Sequence, residues 1–138
     1  RHLVTWPYSI CAAPDYLDRH PPITHPSQLH AHRWLHFLPV RTTLQHGGES
    51  YFLDTADSIA CTHLAAVCSL TASGFGLSLQ VGGEVREKIA QGRLKTVLPE
   101  WTLPPVSLYL VTPYRGQSAK TEAAVRIFTE SFAKEADA

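Results

Sequence analysis

Residues 54–81, DTADSIACTHLAAVCSLTASGFGLSLQV, decide the fold because they combine a buried helix, a stop signal and a strand. Apolar side chains cover most of the circumference of a helix predicted over 56–72, so this helix should be substantially buried. Gly74 suits the position just past the last turn, where a left-handed backbone favours glycine. In residues 77–81, leucine and valine alternate with serine and glutamine, which predicts a half-buried strand.

Shorter strands and helices alternate on both sides of this stretch. Upstream, we expect strands at Tyr8–Ala13, Arg33–Pro39, Arg41–Gln45 and Ser50–Leu53, with two short proline-initiated helices after the first strand. Downstream, we expect a surface helix at Glu84–Ala90, strands at Leu94–Leu98 and Val106–Val111, and an amphipathic helix at Ala119–Lys134. This order indicates an α/β fold with a mixed sheet. Ligands of such open sheets bind near strand ends, where helix N-termini present free N–H groups.

The composition is that of a globular domain without a nucleic-acid-binding surface. The 138 residues are 44% hydrophobic and 17% charged. Lysine plus arginine equals aspartate plus glutamate at 12 each, so the formal net charge is zero. A DNA-binding domain usually has a basic excess or stripe, so we expect that this segment does not itself contact DNA.

Cysteine use and the termini favour a cytoplasmic fragment of a longer protein. The three cysteines, Cys11, Cys61 and Cys68, are an odd number without a CxxC pair, which fits a reducing compartment. Cys61 and Cys68 are seven residues apart and are expected on one buried face of the central helix. No apolar run approaches the roughly 20 residues that span a bilayer. The N-terminus has neither an initiator methionine nor a signal peptide, which predicts a cut point within a longer chain.

Five segments carry a family resemblance over almost the whole chain. They are CAAPDYLDRH (11–20), HPSQLHAHRWL (25–35), ASGFGLSL (72–79), GRLKTVLPEW (92–101) and LYLVTP (108–113) followed by the terminal helix. In this order they resemble the effector-binding domain of LysR-type transcriptional regulators, and the fourth is similar to the subgroup that includes the CrgA-like regulators. Gln28 stands where the family usually has aspartate, and Gln80 or Val81 replaces an expected proline.

The resemblance implies a periplasmic-binding-protein-like (type 2) fold of two Rossmann-like lobes with a small-molecule effector between them. Residues 1–100 would form the second lobe, and residues 101–138 would be a strand and terminal helix that return to the first. The winged helix-turn-helix and most of the first lobe would be absent, so DNA would be contacted only through the missing N-terminal domain. Effector binding would change the relative orientation of the lobes, and the protein would form a homodimer or homotetramer. No cofactor, metal, membrane or catalytic role is expected.

Thr55, Asp57 and Ser58 are the first candidate effector-binding residues. They lie at the predicted start of the central helix, where hydroxyl groups and unpaired N–H groups suit a carboxylate or a phenol. The alternative is that Thr55 or Ser58 only caps the helix. The charge of Asp57 would oppose an anionic effector.

Arg33 and Phe75 are the second pair of candidates. Arg33 lies beside a strand that resembles the cleft-proximal strand of the family, and a guanidinium can bind a carboxylate in a bidentate way. Phe75 lies between two glycines and could form a wall of the effector cleft. The alternatives are a surface arginine beside a core Trp34, and a phenylalanine that packs in the core.

Other functions leave weaker signals in the sequence. The eight histidines show no HExxH motif and no zinc-type spacing with cysteine, so structural or surface roles are favoured over metal binding. The segment SGFG (73–76) lacks the GxSxG order of a nucleophile elbow. The main alternative is a solute-binding transport protein of the same two-lobe fold, and a small hydrolase is a third possibility.

Overall fold

The computed structural model describes residues 1–55, 58–112 and 118–136. In chain order, the strands are β1 His2–Trp6, β2 Ser9–Ala12, β3 Leu35–His36, β4 Arg41–His46, β5 Glu49–Asp54, β6 Ile59–Ala60, β7 Ser78–Gln80, β8 Lys95–Val97 and β9 Val106–Tyr109. The helices are α1 Pro14–Asp18, α2 Leu64–Ala72, α3 Gly83–Ala90 and α4 Ala119–Ala136, with a 3-10 helix over Pro26–Ala31. The predicted α/β class is confirmed.

The chain divides into two compact units, and the larger one contains the β4–β5 hairpin as a sheet separate from its main sheet. Pro7–Pro104 form the larger unit, and Arg1–Trp6 with Pro105–Ala138 form the smaller one. The predicted division assigned residues 1–6 to the same lobe as residues 7–100. The structure instead groups residues 1–6 with the C-terminal segment, because β1 pairs antiparallel with β9.

The sheet of the larger unit is mixed, with one strand opposed to the others. Strand β2 pairs antiparallel with β7 on one side and with β8 on the other. Strand β3 pairs parallel with β6, and a parallel bridge between Trp34 and Leu77 joins β3 to β7. The strands therefore follow the order β6-β3-β7-β2-β8. The C-terminal ends of the four parallel strands lie at the end of the sheet where β2 begins.

Glycine permits the close approach of the two strands at this bridge. Leu77 donates its N–H to the carbonyl of Arg33 at 2.8 Å, and Leu35 donates to the carbonyl of Leu77 at 2.9 Å. A Cβ atom on Gly76 would collide with the carbonyl oxygen of Arg33 and lie 3.1 Å from its carbonyl carbon. The strand predicted over residues 33–39 is shorter in the structure, where β3 comprises Leu35 and His36. Phe37 and Leu38 lie outside the sheet and are exposed.

The largest core cluster packs the sheet against α1, the 3-10 helix and the β4–β5 hairpin. It includes the fully buried side chains Leu29, Leu44, Leu53 and Leu77. Burial of each leucine stabilises the fold by about 1.5–3 kcal/mol. Gly47 and Gly48 form the turn of this hairpin, with positive φ values of 54° and 84°.

The central helix is shorter than its sequence predicts. It begins at Leu64 rather than at Ala56, because the preceding residues form β6. Ile59 donates its N–H to the carbonyl of Trp34 at 2.8 Å, and Cys61 donates to that of His36 at 2.8 Å. Pairing with β3 thus satisfies backbone groups that a helix would otherwise have bonded internally. The prediction that Cys61 and Cys68 share a helix face is wrong, since Cys61 precedes α2.

The predicted end of this helix is confirmed. Gly74 has a φ of 87°, and its N–H bonds to the carbonyl of Thr71 at 3.1 Å. Phe75 donates to the carbonyl of Leu70 at 3.2 Å, which completes a Schellman motif.

In the smaller unit, α4 packs against β1. The rings of Trp6 and Phe132 lie 5.8 Å apart, and the N-terminal amino group donates to the carbonyl of Leu110 at 2.7 Å. The sequence did not predict β1, although it did predict β9 and α4.

Candidate functional site

Helices α2 and α3 both begin at the end of the sheet where the parallel strands terminate. Helix α2 follows β6 and α3 follows β7. The residue before α2 is His63, and the residue before α3 is Gly82; neither provides a side-chain cap. The N–H groups of each first turn have no acceptor within their own helix. Two helix N-termini with uncapped amides therefore occur at one end of the sheet, where acceptor groups of a ligand are favoured.

One further feature lies beside this end of the sheet. Leu98, directly after β8, is buried and has a positive φ of 51°. This left-handed conformation is uncommon for a leucine, and the turn is closed by a 3.0 Å bond from the Trp101 N–H to the Leu98 carbonyl. The local strain accompanies a turn that joins β8 to the segment leaving the unit.

A buried polar network links α2 to β7. Thr71 donates its hydroxyl to the Val67 carbonyl at 2.6 Å and lies 2.8 Å from the hydroxyl of Ser78. Gln80 donates its side-chain amide to the same Ser78 oxygen at 2.6 Å. The alternation in residues 77–81 predicted that Ser78 and Gln80 would face solvent, which is wrong. Both side chains are buried.

Thr55 and Ser58 precede β6 in the structure and are not at the start of α2. The Thr55 hydroxyl donates to the carbonyl of Val40 at 3.4 Å, and the Ser58 hydroxyl donates to the carbonyl of Thr55. One hydroxyl thus bonds to the backbone just before β4 and the other to the loop between β5 and β6, and neither caps a helix. Asp57 lies outside the described residues. Effector binding by these residues stays a prediction.

The structure does bring Arg33 and Phe75 together. They line one pocket of about 510 Å³ in the larger unit. Arg33 immediately precedes the residue that bridges to β7, and Phe75 precedes Gly76 and β7. Both therefore lie at the N-terminal end of the parallel strands, opposite to the end where α2 and α3 begin. The other lining residues are Tyr16, Arg19, His20, Ala31, Ser73 and Gly74.

Tyr16 and two histidines form an aromatic cluster beside this pocket. The Tyr16 hydroxyl lies 2.8 Å from Nδ1 of His32, and the His20 ring stacks on the Tyr16 ring at 4.1 Å. Burial raises the pKa of Tyr16, an effect opposed by a backbone hydrogen bond from Arg33 and by nearby positive charge. Burial, followed by the proximity of His20, lowers the pKa of His32. This environment favours neutral forms of both groups.

Positive charge in the pocket is not balanced by a carboxylate. Arg19 donates from Nη2 to the Gly74 carbonyl at 2.9 Å. The ion pairs observed within residues 1–55, 58–112 and 118–136 join His25 to Glu49 and Arg41 to Asp54, and neither includes an arginine of the pocket.

Histidines elsewhere bind other side chains. His30 Nε2 lies 2.7 Å from the Tyr51 hydroxyl, and His25 Nε2 lies 2.7 Å from Glu49. The described part of the chain contains no group of three or more histidine, cysteine or acidic side chains that could hold a metal ion. Within the same residues, no helix is both long enough and apolar enough to cross a membrane.

Comparisons with known proteins identify relatives of this chain by sequence. The family model described as the LysR substrate binding domain matches residues 1–133. The probable HTH-type transcriptional regulator SinR of Salmonella typhimurium is 30% identical over 113 residues, which are 77% of this chain and 36% of SinR. This chain thus spans about a third of the length of that regulator.

Solved structures share the fold. The full-length virulence activator AphB of Vibrio cholerae, a member of the LTTR protein family, superposes with a TM-score of 0.83 at 24% identity, covering 96% of this chain and 47% of AphB. The regulatory domain of CrgA, a LysR-type transcriptional regulator from Neisseria meningitidis, gives a TM-score of 0.71 at 20% identity, covering 96% of this chain and 67% of that one.

Proposed function

This chain belongs to the LysR substrate-binding-domain family, and from that premise we propose that it is the effector-sensing part of a DNA-binding transcriptional regulator. Its effector is a small molecule that binds the larger unit at the end of the sheet where α2 and α3 begin. Since the chain spans only about a third of SinR, the activity of the whole regulator is included in this proposal.

The observation that carries the proposal is the pair of uncapped helix N-termini after two parallel strands. Amides of the first turn of α2 follow His63, and those of α3 follow Gly82. Such amides favour anionic acceptors, for example a carboxylate or a phenolate, because the helix dipole adds partial positive charge there. The buried Thr71–Ser78–Gln80 network anchors the last turn of α2 against β7, and so fixes the packing of the helix whose N-terminus would face the ligand.

The substitution His63→Asp tests this placement with effects of opposite sign. An aspartate at this position accepts hydrogen bonds from the first turn of α2 and stabilises the helix by about 1 kcal/mol. The same carboxylate occupies the amides and repels an anionic ligand. A thermal-shift screen of small carboxylates and phenols identifies ligands first, since a ligand at a hundred times its Kd stabilises the fold by about 2.7 kcal/mol.

We expect His63→Asp to raise the melting temperature without ligand and to abolish the shift that the ligand causes. His46→Asp is the matched control, because His46 is also an exposed histidine and lies on the β4–β5 hairpin, away from both helix N-termini. A ligand that stabilises His63→Asp as strongly as the parent chain would contradict the proposal.

The remaining parts of the proposal concern the longer protein. It functions in the cytoplasm, binds DNA through a domain outside this chain, self-associates, and performs no catalysis. Regulator homologues favour this function over the transport-protein and hydrolase alternatives. Loss of effector-dependent DNA binding in the full regulator carrying His63→Asp is the corresponding test.

A further inference from the structure

The pocket that contains Arg33 and Phe75 has no role in the function proposed above. It lies at the opposite end of the sheet from the N-termini of α2 and α3. Three separate segments form its walls: α1 with the residues after it, the residues before β3, and the C-terminal end of α2. A ligand in this pocket would contact none of the amides that follow His63 or Gly82.

We propose that this pocket is a second binding site, specific for a small carboxylate with a planar apolar body. Two positively charged side chains, Arg19 and Arg33, line it, and none of the described residues in its lining is acidic. Both guanidinium groups lack an acidic partner among the residues whose positions are described. A bound anion would supply the missing negative charge.

The two arginines have different tasks in the pocket. Arg19 uses Nη2 to bind the Gly74 carbonyl at the end of α2, so its position is fixed by the protein. Arg33 is held through its backbone, which bonds to Leu77 just before β7, while its guanidinium makes no hydrogen bond or ion pair with the described residues. Arg33 is therefore free to bind both oxygens of a carboxylate, the geometry that a guanidinium matches best.

Phe75 determines the apolar part of the ligand. Phe75 is 50% exposed, although the Schellman motif fixes its backbone at the end of α2. An exposed aromatic ring on a fixed backbone presents a flat apolar face at low entropic cost. The pocket volume of about 510 Å³ lies within the range of small-molecule sites.

The test uses the 138-residue chain with benzoate as the probe, benzamide as its neutral analogue, and inorganic phosphate as an anion without an apolar body. Backbone amide shifts of Ser73, Gly74 and Phe75 report occupancy. We expect saturable shifts with benzoate, and much weaker binding of benzamide and of phosphate.

Variants assign the roles. Arg33→Gln should weaken benzoate binding by about tenfold or more, because a hydrogen-bonded charge is lost. Phe75→Ala should weaken it about two- to tenfold. Arg93→Gln removes the same charge from an exposed arginine that does not line the pocket, and should leave binding unchanged.

Several results would overturn the proposal. They are the absence of saturable shifts at these amides, equal binding of benzamide and benzoate, equal binding of phosphate and benzoate, or an equal loss in Arg33→Gln and Arg93→Gln. Since the reporting amides lie at the opposite sheet end from His63, failure here leaves the proposed effector site untouched, and the reverse also holds.

Discussion

Replacement of Gly76 by alanine should open the contact between β3 and β7. The added Cβ would collide with the Arg33 carbonyl oxygen, which is part of the backbone and has no flexible side chain to move aside. Relief of the clash requires the strands to separate, which lengthens the two hydrogen bonds that Leu77 makes across the bridge, now 2.8 and 2.9 Å.

The magnitude follows from these contacts. Each bond contributes about 1 kcal/mol to stability. Overpacking in a well-packed region costs about 1–3 kcal/mol, and it is relieved at the expense of the same bonds, so the two costs overlap. We therefore expect Gly76→Ala to lower the free energy of unfolding by about 2–3 kcal/mol.

Urea denaturation followed by tryptophan fluorescence measures this loss, because Trp34 lies at the bridge. Gly83→Ala is the matched control: a Cβ there meets nothing within 4 Å, and the position is helical. It should be neutral or slightly stabilising. If the free energy of unfolding of Gly76→Ala lies within about 0.5 kcal/mol of that of the parent chain, β3 and β7 do not pack as described.

Three further predictions concern buried groups. Burial lowers the pKa of His32 below its ordinary value of 6.5, so the unfolded chain binds more protons than the folded chain. The stability that neutral His32 contributes is therefore full above pH 6.5 and falls as the pH drops below that value. His32→Gln should reduce the loss of stability between pH 7 and pH 5, as measured by denaturation curves at the two pH values. Thr71→Val should cost about 1–3 kcal/mol in thermal unfolding because the hydroxyl of Ser78 loses a buried partner, whereas Thr71→Ser should cost much less. Iodoacetamide should alkylate Cys61 in the native chain but Cys11 only after unfolding. Cys11 is protected because it is fully buried and its pKa is raised to about 12. Mass spectrometry of the alkylated chain measures the difference.

Most elements were predictable because their signals are local. Proline at the start of α1, the glycine pair of the hairpin and Gly74 at the end of α2 each act through their own backbone preferences. The amphipathic pattern of α4 likewise depends only on residues within that helix. These features need no knowledge of the tertiary fold.

The errors arose where tertiary pairing overrides a local pattern. Residues 59–60 fit a helix by composition, yet they pair with β3, and this pairing delays the start of α2 to Leu64. The predicted role of Thr55 and Ser58 at that start depended on the same early boundary. Strand β1 was not predicted because its partner β9 lies about a hundred residues away. Local hydrophobic patterns carry no information about pairing between segments so far apart.

The candidate sites were predictable only in part. Charge and aromaticity pointed to Arg33 and Phe75, which the structure brings to one pocket. Their position at the opposite end of the sheet from α2 depends on strand order and direction, which sequence periodicity leaves open. Arg19 became a pocket residue only through the fold, because α1 packs near the end of α2.

The most direct test of the central claim is the map of backbone amide shifts caused by a ligand from the thermal-shift screen. We predict that the largest changes fall in the first turns of α2 and α3, at residues 64–66 and 83–85. If those amides stay unchanged while the ligand saturates the chain, the effector does not bind where the helices begin, and the account of this domain as a sensor at that end of the sheet is wrong.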